Sequence, residues 1–266
     1  MLIRYGYDIT IHCWQPTPVV TMLNVRPERA DDARAPDSFH TTPIIPTTTY
    51  RDGFGNICRR LMAPAGDLQL WGDGTIEDPG THDPVVADAQ EVPIEDLPDD
   101  TLVYLLGSRY CETDKLSQIA WDLFQNVPKG WARAQAICDF AHGHITFNYQ
   151  DPSSQRSAFD VYKTRIGVCR DFAHLAIALC RCMNMPARYV NGYLGDIGVP
   201  ITDPMDYSAW IEVFLGGRWL TFDPRNNIPR IGRIVVARGR DATDVPLINS
   251  FGPHELKGFR VWAYET

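Results

Sequence analysis

No stretch of the sequence approaches the roughly 20 uninterrupted apolar residues that a membrane-spanning helix needs, so a membrane is not an expected partner. A positive balance is lacking too. Against 33 acidic residues stand 25 lysines and arginines, and the formal net charge of -8 repels phosphate backbones and acidic lipid, which excludes nucleic acid as an expected partner. The chain carries no cysteine framework: seven is an odd number, the spacings follow no paired pattern, and 266 residues can build a core without covalent staples. Free thiols are expected. The opening MLIRYGYDITIHCW has no basic stretch followed by an apolar one; it alternates as a strand does, and a cytoplasmic location is the expectation.

The length fits one large or two modest domains, with two as the expectation. From Leu2 to about Leu70 the signals are extended: Ile3 to His12 alternates, Val19 to Val25 is apolar and β-branched, Ile44 to Tyr50 follows prolines, and Asn56 to Met62 resumes after a turn at Asp52 and Gly53. Short strands between Pro, Gly and Asp predict an antiparallel, β-sandwich-like unit over 1–95. Gly72 to Asp100 is rich in Asp, Pro, Gly and Thr, and reads as an exposed linker with one extra strand at Val85 and Val86.

Helical periods follow. Leu116, Ile119, Ala120, Leu123 and Phe124 share a face, as do Ala134, Ile137, Cys138 and Ala141. Ser157 is placed to cap a short helix through Thr164, and Gly167 precedes a nearly all-apolar helix from Cys169 to Met183 that must be buried. Ala187 to Leu194, Ala209 to Leu215 and Arg218 to Phe222 read as strands, the last two joined by a Gly216-Gly217 hairpin turn. The whole is an α+β fold, with 96–266 as its second unit.

Cys169 opens the apolar helix, where unpaired backbone N–H groups and the helix dipole favour a thiolate; the competing reading is a small buried apolar residue. The other cysteines lack that setting and read as packing. Cys180 and Cys182 lie mid-helix on diverging faces, and Cys13 and Cys58 lie in strands. No spaced set of ligands calls for a metal, and nothing calls for a cofactor.

Gly167-Val168-Cys169-Arg170-Asp171-Phe172-Ala173, Met185 through Tyr193, Ser208-Ala209-Trp210-Ile211-Glu212-Val213 and Trp219-Leu220-Thr221-Phe222-Asp223-Pro224 together resemble the core of transglutaminase-like, papain-type cysteine enzymes. Arg240-Asp241 and Asp244-Val245-Pro246 resemble the sequence that follows this core in bacterial relatives, and residues 1 to about 90 resemble the β domain that precedes it. The resemblance implies a triad of nucleophile, base and orienting acid, carried onto Cys169, Ser208 and Asp223, and a peptide or protein amide as substrate. Ser208 stands where the family has histidine. A hydroxyl cannot take a thiol proton near neutral pH, so without a base the thiol stays near 8.5 and about 10²- to 10⁴-fold in rate is forfeited.

His174, five residues along the same helix, points about 140° away from Cys169. His142, His144 and His254 each remain open as substitutes, and Asp206, two residues before Ser208 and on its face, reads as a weak base or as a turn acid after Pro204. Arg188, Tyr193 and Trp210 read as structural, and Tyr149 is a candidate oxyanion donor. Two functions follow: thiol-dependent amide hydrolysis or acyl transfer through a Cys169 thioester, or a fold that has lost its base and serves for binding. Oligomeric state is not legible.

Overall fold

The alternation at the N-terminus becomes β1 (Leu2–Cys13), with Ile3, Tyr5, Tyr7, Ile9 and Ile11 all turned into the core of the computed structural model, which describes every residue except 35, 36 and 203. The remaining strands of this half are β2 (Thr17–Thr21), β3 (His40–Thr42), β4 (Thr47–Arg51), β5 (Ile57–Ala63) and β6 (Gly66–Glu77). Helices α1 (Thr113–Phe124), α2 (Trp131–His144), α3 (Ala158–Thr164) and α4 (Cys169–Cys182) follow, with a short parallel pair β7 (Thr146–Phe147) and β8 (Ile166–Gly167) set among them. Then come β9 (Ala187–Leu194), β10 (Ser208–Leu215), β11 (Arg218–Phe222), β12 (Arg233–Gly239), β13 (Ile248–Ser250) and β14 (His254–Glu265). The fold is α+β with antiparallel sheets, and no helix among the described residues is long and apolar enough to cross a membrane.

Three four-stranded antiparallel sheets organise the chain, in the orders β14-β1-β6-β3, β13-β2-β5-β4 and β11-β10-β9-β12. The last two strands, expected to extend the second unit, instead pair with the first two: β14 lies along β1 from Cys13 to Ile3, and β13 lies along β2. The hydrogen-bond ladder of β1 and β14, not chain proximity, places them there.

Residues 72–100 also depart from expectation. Gly72 to Glu77 completes β6, and Val85 and Val86 form no strand. The rest is pinned to the core: His82 bridges to Ile231, Glu91 pairs with Arg133, and Trp131 N–H donates to Ala89 C=O.

Every residue of α4 from Asp171 to Cys182 is buried, because α1, α2 and α3 pack against it and β9 and β10 lie beside it. This explains its lack of a polar face. Gly216 and Gly217 take φ of 58° and 77°, the two positive values of a type I′ hairpin turn, so β10 and β11 pair in register with Ile211 opposite Phe222. Gly192 has a different role: a Cβ there would lie 2.1 Å from the Ile234 carbonyl oxygen, so β9 and β12 can approach only without a side chain.

The two glycines should therefore separate in chemical denaturation. Gly217→Ala, with nothing within 4 Å of the added Cβ, loses about 1 kcal/mol through its backbone alone. Gly192→Ala loses roughly 3 kcal/mol or more, because backbone must move. Equal losses would contradict this assignment.

Candidate active site

The start of α4 is built from its own sequence. The Asp171 carboxylate turns back to accept the Val168 N–H at 2.9 Å, and a Cβ on residue 167 would meet the Asp171 side chain at 2.6 Å, so Gly167 makes the room. Arg156 pairs with the same carboxylate at 3.3 Å. These contacts fix the first turn and with it Cys169, which is half-buried, whereas the other six cysteines are buried; all seven are free.

Two cavities meet at this thiol. One of about 310 Å³ is lined by Phe147, Tyr149 and Arg225, the other of about 760 Å³ by Arg170, Asn191 and Pro246. Cys169, Asp206, Tyr207 and Ser208 line both. Cys169 thus borders both cavities, and we refer to the two together as the thiol groove. Ser208 begins β10 opposite Gly192 of β9 and lines both cavities with Cys169. In the larger cavity, Asn191 donates its Nδ2 hydrogen to the Val245 carbonyl, and its buried Oδ1 has no partner among the described residues.

The electrostatics differ from expectation. Burial pushes the Cys169 thiol up to about 11 and the Asp206 charge adds to the rise; the Ala209 N–H, Arg225 and the Arg170 N–H act in the opposite sense without cancelling it. The helix terminus alone does not make a thiolate here. Asp206, weighed above as a turn acid or weak base, lies in the groove with its carboxyl raised by burial and, among the described residues, receives only the neighbouring Tyr207 N–H, at 2.6 Å. Tyr149 lies there too; burial, Asp206 and Cys169 all raise its phenol, so it stays a neutral O–H donor.

Asp223 ends β11 outside that groove, beside Trp131 and Phe222. Its Oδ2 accepts from Arg233 and from the Asn226 side chain, both at 2.8 Å, and its Oδ1 from the Arg225 and Asn226 backbone N–H groups. Burial pushes this carboxyl up, but Arg233 and Asn226 more than offset it and hold it below the usual carboxylate range. Arg233 had no local signal in the sequence. It sits ten residues on, on another strand, pairing also with Asp83 at 2.9 Å and stacking over Trp210.

No histidine among the described residues lines either cavity at the thiol. His142 contacts the Arg225 carbonyl from outside, His144 stacks between Phe140 and Tyr162, and His254, at the start of β14, bonds Ser250 of β13. His174 is fully buried against Tyr110, accepts the Ala242 N–H on Nε2, and is lowered by burial to about 3. Arg188 ties β9 to Glu212 of β10 over the Trp219 ring, while Tyr193 and Trp210 are buried.

Replacing Arg233 by Met leaves the Asp223 carboxylate buried without its cation, and should lower stability by about 3 kcal/mol near neutral pH. The native carboxyl is depressed, so its contribution is present above its unfolded pKa of about 3.9 and fades as pH falls through the lower folded value. In the variant burial dominates and the sign reverses. Thermal unfolding against pH should show the native protein losing stability on acidification below about pH 4 while the variant recovers part of its deficit; parallel curves would contradict the pairing.

Residues 117–224 match the transglutaminase-like superfamily. The uncharacterized Mycobacterium tuberculosis protein Rv2569c is 33% identical over 222 residues, which make up 75% of this chain and 70% of that protein. The uncharacterized Mycobacterium leprae protein ML0607 is 41% identical over 93 residues, a match spanning 34% of this chain and only 33% of that relative. A crystal structure from Cytophaga hutchinsonii, described as a candidate cysteine protease, superposes with a TM-score of 0.86 at 29% identity, covering 99% of this chain and 90% of that one. With its helix-start cysteine, its β9–β10–β11 sheet and these relatives, the chain belongs to the transglutaminase-like superfamily.

Proposed function

We propose that this protein cleaves or transfers peptide or protein amides through a Cys169 thioester, with Asp206 taking the place of the missing histidine as proton acceptor. The observation that supports the reading is that a half-buried thiol and a carboxylate with no cation partner among the described residues line the same two cavities. An extended peptide fits a groove in which two cavities border the reactive atom.

In this reading the Cys169 proton moves to Asp206 as sulfur attacks the amide carbon, and Tyr149 donates to the developing oxyanion. The C–N bond then breaks and the amine leaves with the proton from Asp206. Water or a second amine, deprotonated by the same carboxylate, resolves the thioester. With a thiol near 11, only about one part in 10⁴ is thiolate at pH 7, so turnover is slow. Seven free thiols fit a reducing compartment such as the cytoplasm, and the net charge of -8 disfavours nucleic acid.

A second reading, a binding protein without turnover, has one specific observation in its favour: Asp223 is committed to Arg233 and free to orient nothing. Two variants separate the readings. Asp206→Asn removes the negative neighbour, so iodoacetamide should alkylate Cys169 roughly three- to tenfold faster at pH 7.5, while hydrolysis of a pool of fluorogenic peptide amides falls at least about tenfold. Ser208→His should raise hydrolysis. Hydrolysis that survives Cys169→Ala, or that rises with alkylation in Asp206→Asn, sinks the proposed mechanism; no hydrolysis by either the native protein or Ser208→His leaves the binding reading.

A further inference from the structure

β14 is an edge strand: β1 pairs with one side of it, and no other described strand pairs with the opposite side. The Ala263 N–H points away from β1, reaching the Met205 sulfur at 3.0 Å, and a Cβ on residue 195 would lie 2.3 Å from the Ala263 carbonyl oxygen. In an antiparallel strand alternate residues turn both backbone groups the same way, so Phe259 and Val261, in regular register opposite Ile9 and Tyr7, direct their N–H and C=O groups to that same edge. This row of donors and acceptors borders a cavity of about 600 Å³, closed on its far side by Ile197, Ile201 and Met205. Ile201 is 79% exposed.

The cavity adjoins the smaller thiol cavity through shared walls. Asp196, Thr202, Pro204 and Met205 line both it and the smaller thiol cavity, and the Phe259 ring stands 6.4 Å from the ring of Tyr207, the neighbour of Ser208. We propose that an extended segment of the polypeptide substrate adds as a strand to the free edge of β14, placing an apolar side chain against Ile201 and Met205, while a neighbouring part of the same chain crosses Cys169. Main-chain hydrogen bonds give such an edge affinity for extended polypeptide, and the cavity gives preference for an apolar residue. The occupant is thus an unfolded or loop segment, not a small amide. This rests on the reading of the Cys169 groove as a peptide-amide site, but it can fail separately.

The test uses the full chain carrying Cys169→Ala, so thiol chemistry cannot enter, and an acetylated, amidated hexapeptide of alternating threonine and leucine as probe. Binding should slow amide hydrogen exchange at Phe259 and Val261 at least tenfold. Phe259→Pro removes an edge N–H without touching the β1 ladder and should weaken binding tenfold or more. Binding that perturbs Asp206 and Ser208 and leaves the edge amides unchanged would overturn the edge site while sparing the groove. No binding at millimolar peptide would overturn it too. Protection that grows with protein concentration in the absence of peptide, together with a dimer mass by light scattering, would assign the edge to a second copy of this chain and overturn the proposal.

Discussion

One guanidinium fixes the charge balance where the sheet of β9 to β12 meets the segment that follows β6. Arg233 lies between Asp223 at the end of β11 and Asp83 in the segment that leaves the first sheets, and it stacks on Trp210 of β10. Three parts of the chain meet on it. Removing it would leave two carboxylates without their cation, one of them deeply buried, a far greater penalty than an exposed ion pair carries. The same contact decides chemistry: a carboxylate saturated by arginine and asparagine donors has no lone pair left to orient a base.

The neutral thiol has separate causes. A cysteine at a helix start gains from the dipole, but burial and the adjacent Asp206 outweigh it, and no imidazolium compensates. What remains is a carboxylate and a thiol facing one groove, each raised above its usual range. Proton transfer within such a pair is uphill, because a carboxylate holds a proton far less tightly than a thiol does.

Much of this was legible in the sequence, because its signals are local. The periods of α1 and α2, the Ser157 cap, the break at Gly167, the apolar run of α4 and the double glycine at 216 and 217 each encode their own structure, and the observed elements follow them closely. Cys169 and Ser208, which the resemblance to the family set side by side, line the same two cavities. What escaped is long-range. Nothing near residue 254 announces that this strand pairs with residue 13, and nothing near Arg233 announces Asp83, 150 positions earlier. The polar composition of 72–100 suggested an exposed linker, and much of it is exposed, yet two of its acids, Asp83 and Glu91, pair with the buried Arg233 and Arg133. Asp206 resembled an ordinary turn acid because its lack of a cation is visible only in three dimensions.

The central claim, a Cys169 thiol kept neutral by burial and by Asp206, is tested most directly by the rate of iodoacetamide alkylation at Cys169 against pH, followed site by site with peptide mass spectrometry. The rate should climb about tenfold per pH unit from 7 to 10 with no plateau, as a thiol near 11 requires. A plateau reached below pH 8.5 would mean an activated thiolate with a cationic partner, and would contradict the account.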